Sequence, residues 1–160
     1  MRELPDAETV LAVCVDMHET YQRSGFGPAM AKFIALATQQ GPIPPDYAGR
    51  PAPDPAAFGL PAEDDGSRND PLVGQNMISC PSYEHDFGAL RAASTRIVIG
   101  VGEESGQTVT GRSSAAVAGR LGQAPVTFPG GHDGFLGGEY GGMGQPDAFA
   151  ATLRTLLDQA

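Results

Sequence analysis

The chain has 160 residues, and its 22 glycines and 14 prolines make up more than a fifth of it, against the roughly 12% of average proteins. Nineteen acidic residues face ten basic ones, for a net charge of −9. Together these exclude a collagen-like repeat, because the glycines keep no period of three, and a coiled coil, because charge and heptads are too sparse; the sign of the charge opposes a phosphate backbone, so no nucleic-acid partner is expected.

From the N-terminus, Met1-Arg-Glu-Leu-Pro-Asp6 lacks the apolar core of a signal peptide. No later stretch approaches the roughly 18 apolar residues of a membrane span. A soluble, cytoplasmic protein without a membrane partner is expected. Cys14 and Cys80 lie far apart with no CxxC, as suits a reduced pair.

Asp6 suits the cap of a first helix, in which Val10, Val13, Cys14, Met17 and Tyr21 keep a three-to-four spacing. Ser24-Gly-Phe-Gly-Pro28 breaks that pattern. Pro28 fits the first turn of a second helix, whose face carries Met30, Phe33, Ile34 and Ala37. Residues 41–71 hold eight of the prolines, in runs that no helix or central strand accepts. They read as a linker or a mobile loop. A short helix is expected over about 71–79, ended by Pro81.

The last third differs. Thr95-Arg-Ile-Val-Ile-Gly-Val101 is β-branched and apolar, a candidate buried strand. A helix over about 108–121, a second strand over Ala124–Phe128, a Gly-rich loop over 130–144 and a helix from Pro146 follow. That last helix sets Phe149, Leu153, Leu156 and Leu157 on one face. Strand, helix and strand form one βαβ unit, expected to be parallel and right-handed. The fold class is therefore α/β.

His132 is the principal candidate for chemistry. It lies four residues beyond the second strand, in Phe128-Pro-Gly-Gly-His-Asp-Gly-Phe-Leu136. Open α/β sheets set their reactive groups at the carboxyl ends of strands, and an imidazole transfers protons near neutral pH. The alternative is a surface histidine in a flexible loop. Glu103 and Glu104 follow the first strand, either one placed to orient His132 or both simply solvated in a turn. The frame Gly100-x-Gly102 sets its third glycine at 106, one place late for a dinucleotide loop, and two adjacent carboxylates repel a pyrophosphate. No cofactor is expected, and no cluster has the spacing of a metal site. His18 reads as a rim histidine and His85-Asp86 as a turn cap. Phe135 and Tyr140 either line a pocket mouth or anchor the loop.

The order of these parts resembles the C-terminal half of the α/β-hydrolase superfamily. Phe128-Pro-Gly-Gly-His-Asp-Gly-Phe135 is similar to the catalytic-histidine loop of its bacterial esterase-like members, and Gln145-Pro-Asp-Ala-Phe-Ala-Ala-Thr-Leu-Arg154 to the helix after it. The resemblance implies a helical cap-like region over 1–90 and the βαβα part of a hydrolase core over 91–160. It implies His132 as general base in the hydrolysis of an ester-like small molecule. The family's acid position falls on Ser105, so Glu104, with a slight preference, or Glu103 would substitute, unless the acid follows an earlier strand outside this sequence. Under such a cap, Phe26, Met30, Phe33 and Met77 are candidates for substrate binding. No serine sits in the G-x-S-x-G frame that carries the family's nucleophile. The expectation is a truncated relative, inactive alone. Alternatives are a non-catalytic interaction protein, paired with another copy or a partner chain through its sheet edges, and a small-molecule binder.

Overall fold

The computed structural model describes residues 1–159, except for the side chain of Tyr140. The chain divides into two compact units, Met1–Glu84 and His85–Ala160.

The first unit is helical. Helix α1 (Ala7–Ser24) buries Val10, Val13, Cys14, Met17, Thr20 and Tyr21, the face that the spacing marks out. Gly25, at φ 80°, turns the chain into α2 (Phe26–Thr38), a conformation that favours glycine. Gly27 lies so close to the Pro61 carbonyl that a Cβ there would stand 1.9 Å from the oxygen. Lys32, the chain's one lysine, forms an ion pair with Asp16 and so ties α2 to α1. Both side chains are largely withdrawn from solvent, at 11% and 14% exposure.

Residues 41–71 contain one short 3-10 helix, Pro55–Phe58, and otherwise follow irregular paths. Specific contacts nonetheless hold them. Ile43 is 3% exposed and its N–H donates to Asp6 Oδ2 at 2.8 Å. Arg68 pairs with Asp64 and lies over the Tyr21 ring, while the Tyr21 hydroxyl accepts from the Asp70 N–H at 2.9 Å. The Arg68 guanidinium, with the Gly66 N–H, pulls the Asp64 carboxyl down to about 2. Proline stiffness lowers the entropy lost on fixing such a segment, so few contacts suffice. The expected short helix appears as a π-helical turn, Leu72–Asn76, leading into α3 (Met77–Ser79). His18 is half-buried and donates from Nδ1 to the Val73 carbonyl at 3.1 Å. Burial pushes the Cys14 thiol up to about 11.

The second unit opens with α4 (Phe87–Ala92), which the sequence reading did not anticipate. Asp86 caps it, accepting from the Ala89 N–H at 2.9 Å. Strand β1 (Gly100–Gly102) and strand β2 (Val126–Phe128) pair in parallel, Gly100 opposite Val126 and Gly102 opposite Phe128. Helix α5 (Val109–Arg120) joins them, and α6 (Pro146–Asp158) closes the chain. A mixed α/β architecture with a two-stranded parallel sheet is the result.

The expectation of a buried strand over Thr95–Val101 is corrected. Only its end enters the ladder, and Ile97, Val98 and Ile99 are half-exposed. A sheet of two strands cannot cover both faces of such a run. Among the described residues no helix is long and apolar enough to cross a membrane.

Lys32→Met leaves Asp16 withdrawn from water without its cation. It is expected to lower stability by about 2 kcal/mol in urea unfolding, and the double variant Asp16→Leu/Lys32→Met to recover most of that loss.

Candidate functional site

The site forms at the carboxyl ends of β1 and β2. Beyond β1 the chain turns through a 3-10 helix, Glu103–Ser105, and beyond β2 it enters the Gly-rich loop. The Glu104 N–H donates to the Gly130 carbonyl at 3.1 Å, fastening the acidic turn to the histidine loop. Gly130 has φ 80°, which directs the loop back toward that turn. A Cβ at Gly131 would stand 3.5 Å from Glu104 Oε2 and 3.6 Å from Asp133 Oδ1. Glu104 therefore lies against the backbone next to His132.

The loop is wound tightly. Gly134 donates to the Gly131 carbonyl at 3.1 Å, Leu136 to Asp133 at 2.9 Å and Gln145 to Gly134 at 2.8 Å. Glu139, bonded to its own N–H and to that of Gly137, is held below the usual carboxylate range. His132 is exposed on this framework, as are Glu103 and Glu104.

His132 lies at a cleft of about 600 Å³ within the second unit. Its walls are mainly apolar, with Val98, Phe128, Phe135, Phe149 and Leu153 among them. The Phe149 ring meets Phe128 at 4.7 Å and Phe135 at 6.0 Å between centroids. Phe135 thus both lines the cleft and anchors the loop; the Tyr140 side chain lies outside the described residues.

Hydroxyl groups gather beneath the acidic turn, a feature that sequence reasoning missed. Ser105 is 7% exposed and Thr108 8% exposed. Thr108 donates from Oγ1 to the Ser105 carbonyl at 2.8 Å and accepts from the Gly111 N–H at 3.2 Å, capping α5. Ser105, Thr110 and Ser114 line the same cleft as His132. The available signal was Thr108 three residues before Gly111, a helix-cap spacing.

The structure brings Glu104 and His132 to neighbouring turns but does not couple them. Among the described residues, no hydrogen bond or ion pair joins the His132 imidazole to Glu103, to Glu104 or to any hydroxyl or thiol. An exposed imidazole can accept or release a proton, but no partner here fixes its orientation or receives that proton. The four candidates for substrate binding belong to the first unit. Phe26 and Met77 pack against its core of Tyr21, Ala29 and Val73. Met30 and Phe33 are half-buried. None of the four lines a small cleft that Val13, Asp16, Lys32, Tyr47 and Arg50 help to form in that unit. No group of three or more His, Cys, Asp or Glu side chains converges among the described residues, so no metal site is assigned.

Comparison with models of known families, with characterised proteins and with solved structures finds no match.

Gly111 holds the acidic turn against α5, since a Cβ there would stand 1.8 Å from the Ser105 carbonyl oxygen. Gly119, on the same helix, faces open space. Gly111→Ala is expected to destabilise the protein by about 1–3 kcal/mol, and Gly119→Ala to stabilise it by about 0.4–1 kcal/mol. Thermal unfolding of the two variants checks this.

Proposed function

We propose that the second unit is related to the core of the α/β-hydrolases and carries the proton-transfer part of their machinery, with His132 as the base. One observation supports this most. The turn after β1 and the loop after β2 are fastened through Glu104 and Gly130, and they bring a carboxylate, an accessible imidazole and a cleft to the carboxyl ends of two parallel strands. That is where α/β folds hold their reactive groups. The substrate class in such chemistry is an ester or related acyl compound with an apolar portion, suited to the aromatic and leucine walls.

In this reading the chain does not transfer acyl groups by itself. Attack on an acyl carbon needs an activated nucleophile within hydrogen-bonding reach of the base and donors for the developing oxyanion. No hydroxyl or thiol among the described residues bonds to His132, and no serine has the G-x-S-x-G frame. Ser105 lines the cleft, but it is largely buried and lies in the turn that Thr108 fastens.

The test is hydrolysis of p-nitrophenyl acetate and butyrate at neutral pH. The expected rate for the chain alone is the buffer rate, unchanged in His132→Ala. Turnover above buffer that disappears in His132→Ala would show a complete hydrolytic site and contradict the inactive reading.

A further inference from the structure

The geometry points to a second copy of this chain as the occupant of the free edge of β1, in a two-fold dimer with a continuous four-stranded sheet. The inference uses only the ladder, the cleft and the charges, and does not depend on the hydrolase reading.

The direction of the ladder identifies the available backbone groups. The Val126 N–H donates to the Ile99 carbonyl at 2.8 Å, and Gly100 is paired with Val126. In a parallel ladder this makes residues 99 and 101 the ones bonded to β2. The N–H and C=O groups of Val98, Gly100 and Gly102 therefore point to the opposite edge. No strand among the described residues pairs there.

That edge lies in a trough. Side chains alternate across a strand, so Gly100 and Gly102 share one face with Phe128, and Val101 lies on the other. The ring of Phe128 would stand 2.7 Å from a Cβ at Gly100, and the tilted ring of Phe149 of α6 packs against it. Helix α6 thus flanks the first face. The same cleft is lined by Val101 and by Thr110, Gly111 and Ser114 of α5, as well as by Val98, Gly100 and Gly102. Residues on both faces of β1 thus carry groups beside its unpaired edge. Helix α6 has no buried residue, and Leu153 and Leu157 remain 42% and 64% exposed.

Charge and shape select the occupant. Arg96 lies before β1, and Glu103 and Glu104 lie after it. Two copies of β1 running antiparallel about Gly100 bring Arg96 of each copy to the Glu103–Glu104 turn of the other. A parallel arrangement would oppose like charges. Arg96 holds the Leu156 carbonyl at 2.8 Å with one nitrogen and keeps further donors for a carboxylate. In the antiparallel register Gly100 faces its own counterpart as a hydrogen-bonded pair. Val98 then faces the bare Gly102 of the other copy. The interface is isologous, so it closes at two copies and leaves no growing edge at β1.

The experiment is size-exclusion chromatography with light scattering on the full chain over a dilution series. The expected mass is twice the 16.5 kDa of one chain. Arg96→Glu and Leu157→Glu, both at exposed positions, are each expected to weaken the dimer by about tenfold or more. Combining Arg96→Glu with Glu103→Arg and Glu104→Arg is expected to restore it. A wild-type monomer at all concentrations overturns the inference. So does a dimer indifferent to Arg96→Glu and Leu157→Glu, or a failure of the charge-exchanged variant to recover. Circular dichroism of each variant separates loss of pairing from loss of fold.

Discussion

The pairing of β1 with β2 is the constraint on which the second unit depends. Three residues of each strand align the acidic turn, the histidine loop and α5. A sheet this narrow can hold one helix on each face but cannot cover them. Among the described residues, Phe87, Val109 and Ala118 are the buried apolar residues of this unit, and α6 contributes none. The exposure of His132 and the opening of the cleft follow from the same shortage of sheet. In a site of this kind, hydrogen bonds between turns fix positions, while little apolar burial adds stability.

The first unit solves the problem differently. Helix α1 buries Val10, Val13, Met17 and Tyr21 almost completely, α2 buries Ala29 and Ala31, and the Asp16–Lys32 pair links the two helices. The proline-rich segment adds Ile43 to that core and presents Asp70 to the Tyr21 hydroxyl. Each of these uses the first helix as a template. Thus one unit closes its own core and the other leaves apolar surface at a sheet edge.

Local signals made the long helices legible in the sequence, but not α4, and α2 buries Ala29, Ala31 and Leu36 in place of the expected face of Met30, Phe33, Ile34 and Ala37. The spacing of Val10, Val13, Cys14, Met17 and Tyr21 marked the buried face of α1, and Pro146 marked the start of α6. Parallel pairing of the last two strands followed from their order and from the helix between them. Burial of Thr95–Val101 was misread because β-branched composition reports preference for a sheet and not the number of strands available to cover it. The order in residues 41–71 was invisible because it depends on distant partners, Asp6 and Tyr21, and not on its own pattern. The nearness of Glu104 to the His132 loop could be anticipated from topology. The absence of a bond between them could not, since it depends on ångström-scale placement of side chains.

In the proposed dimer, the backbone groups of β1 that face away from β2 pair with a strand from a second copy. Residue-resolved amide hydrogen exchange at low and high protein concentration tests this pairing most directly. The Val101 N–H, bonded to β2, is expected to exchange slowly at both concentrations, and the Gly100 N–H to exchange rapidly in dilute solution and slowly in concentrated solution. Rapid exchange at Gly100 that does not change with concentration would contradict the pairing.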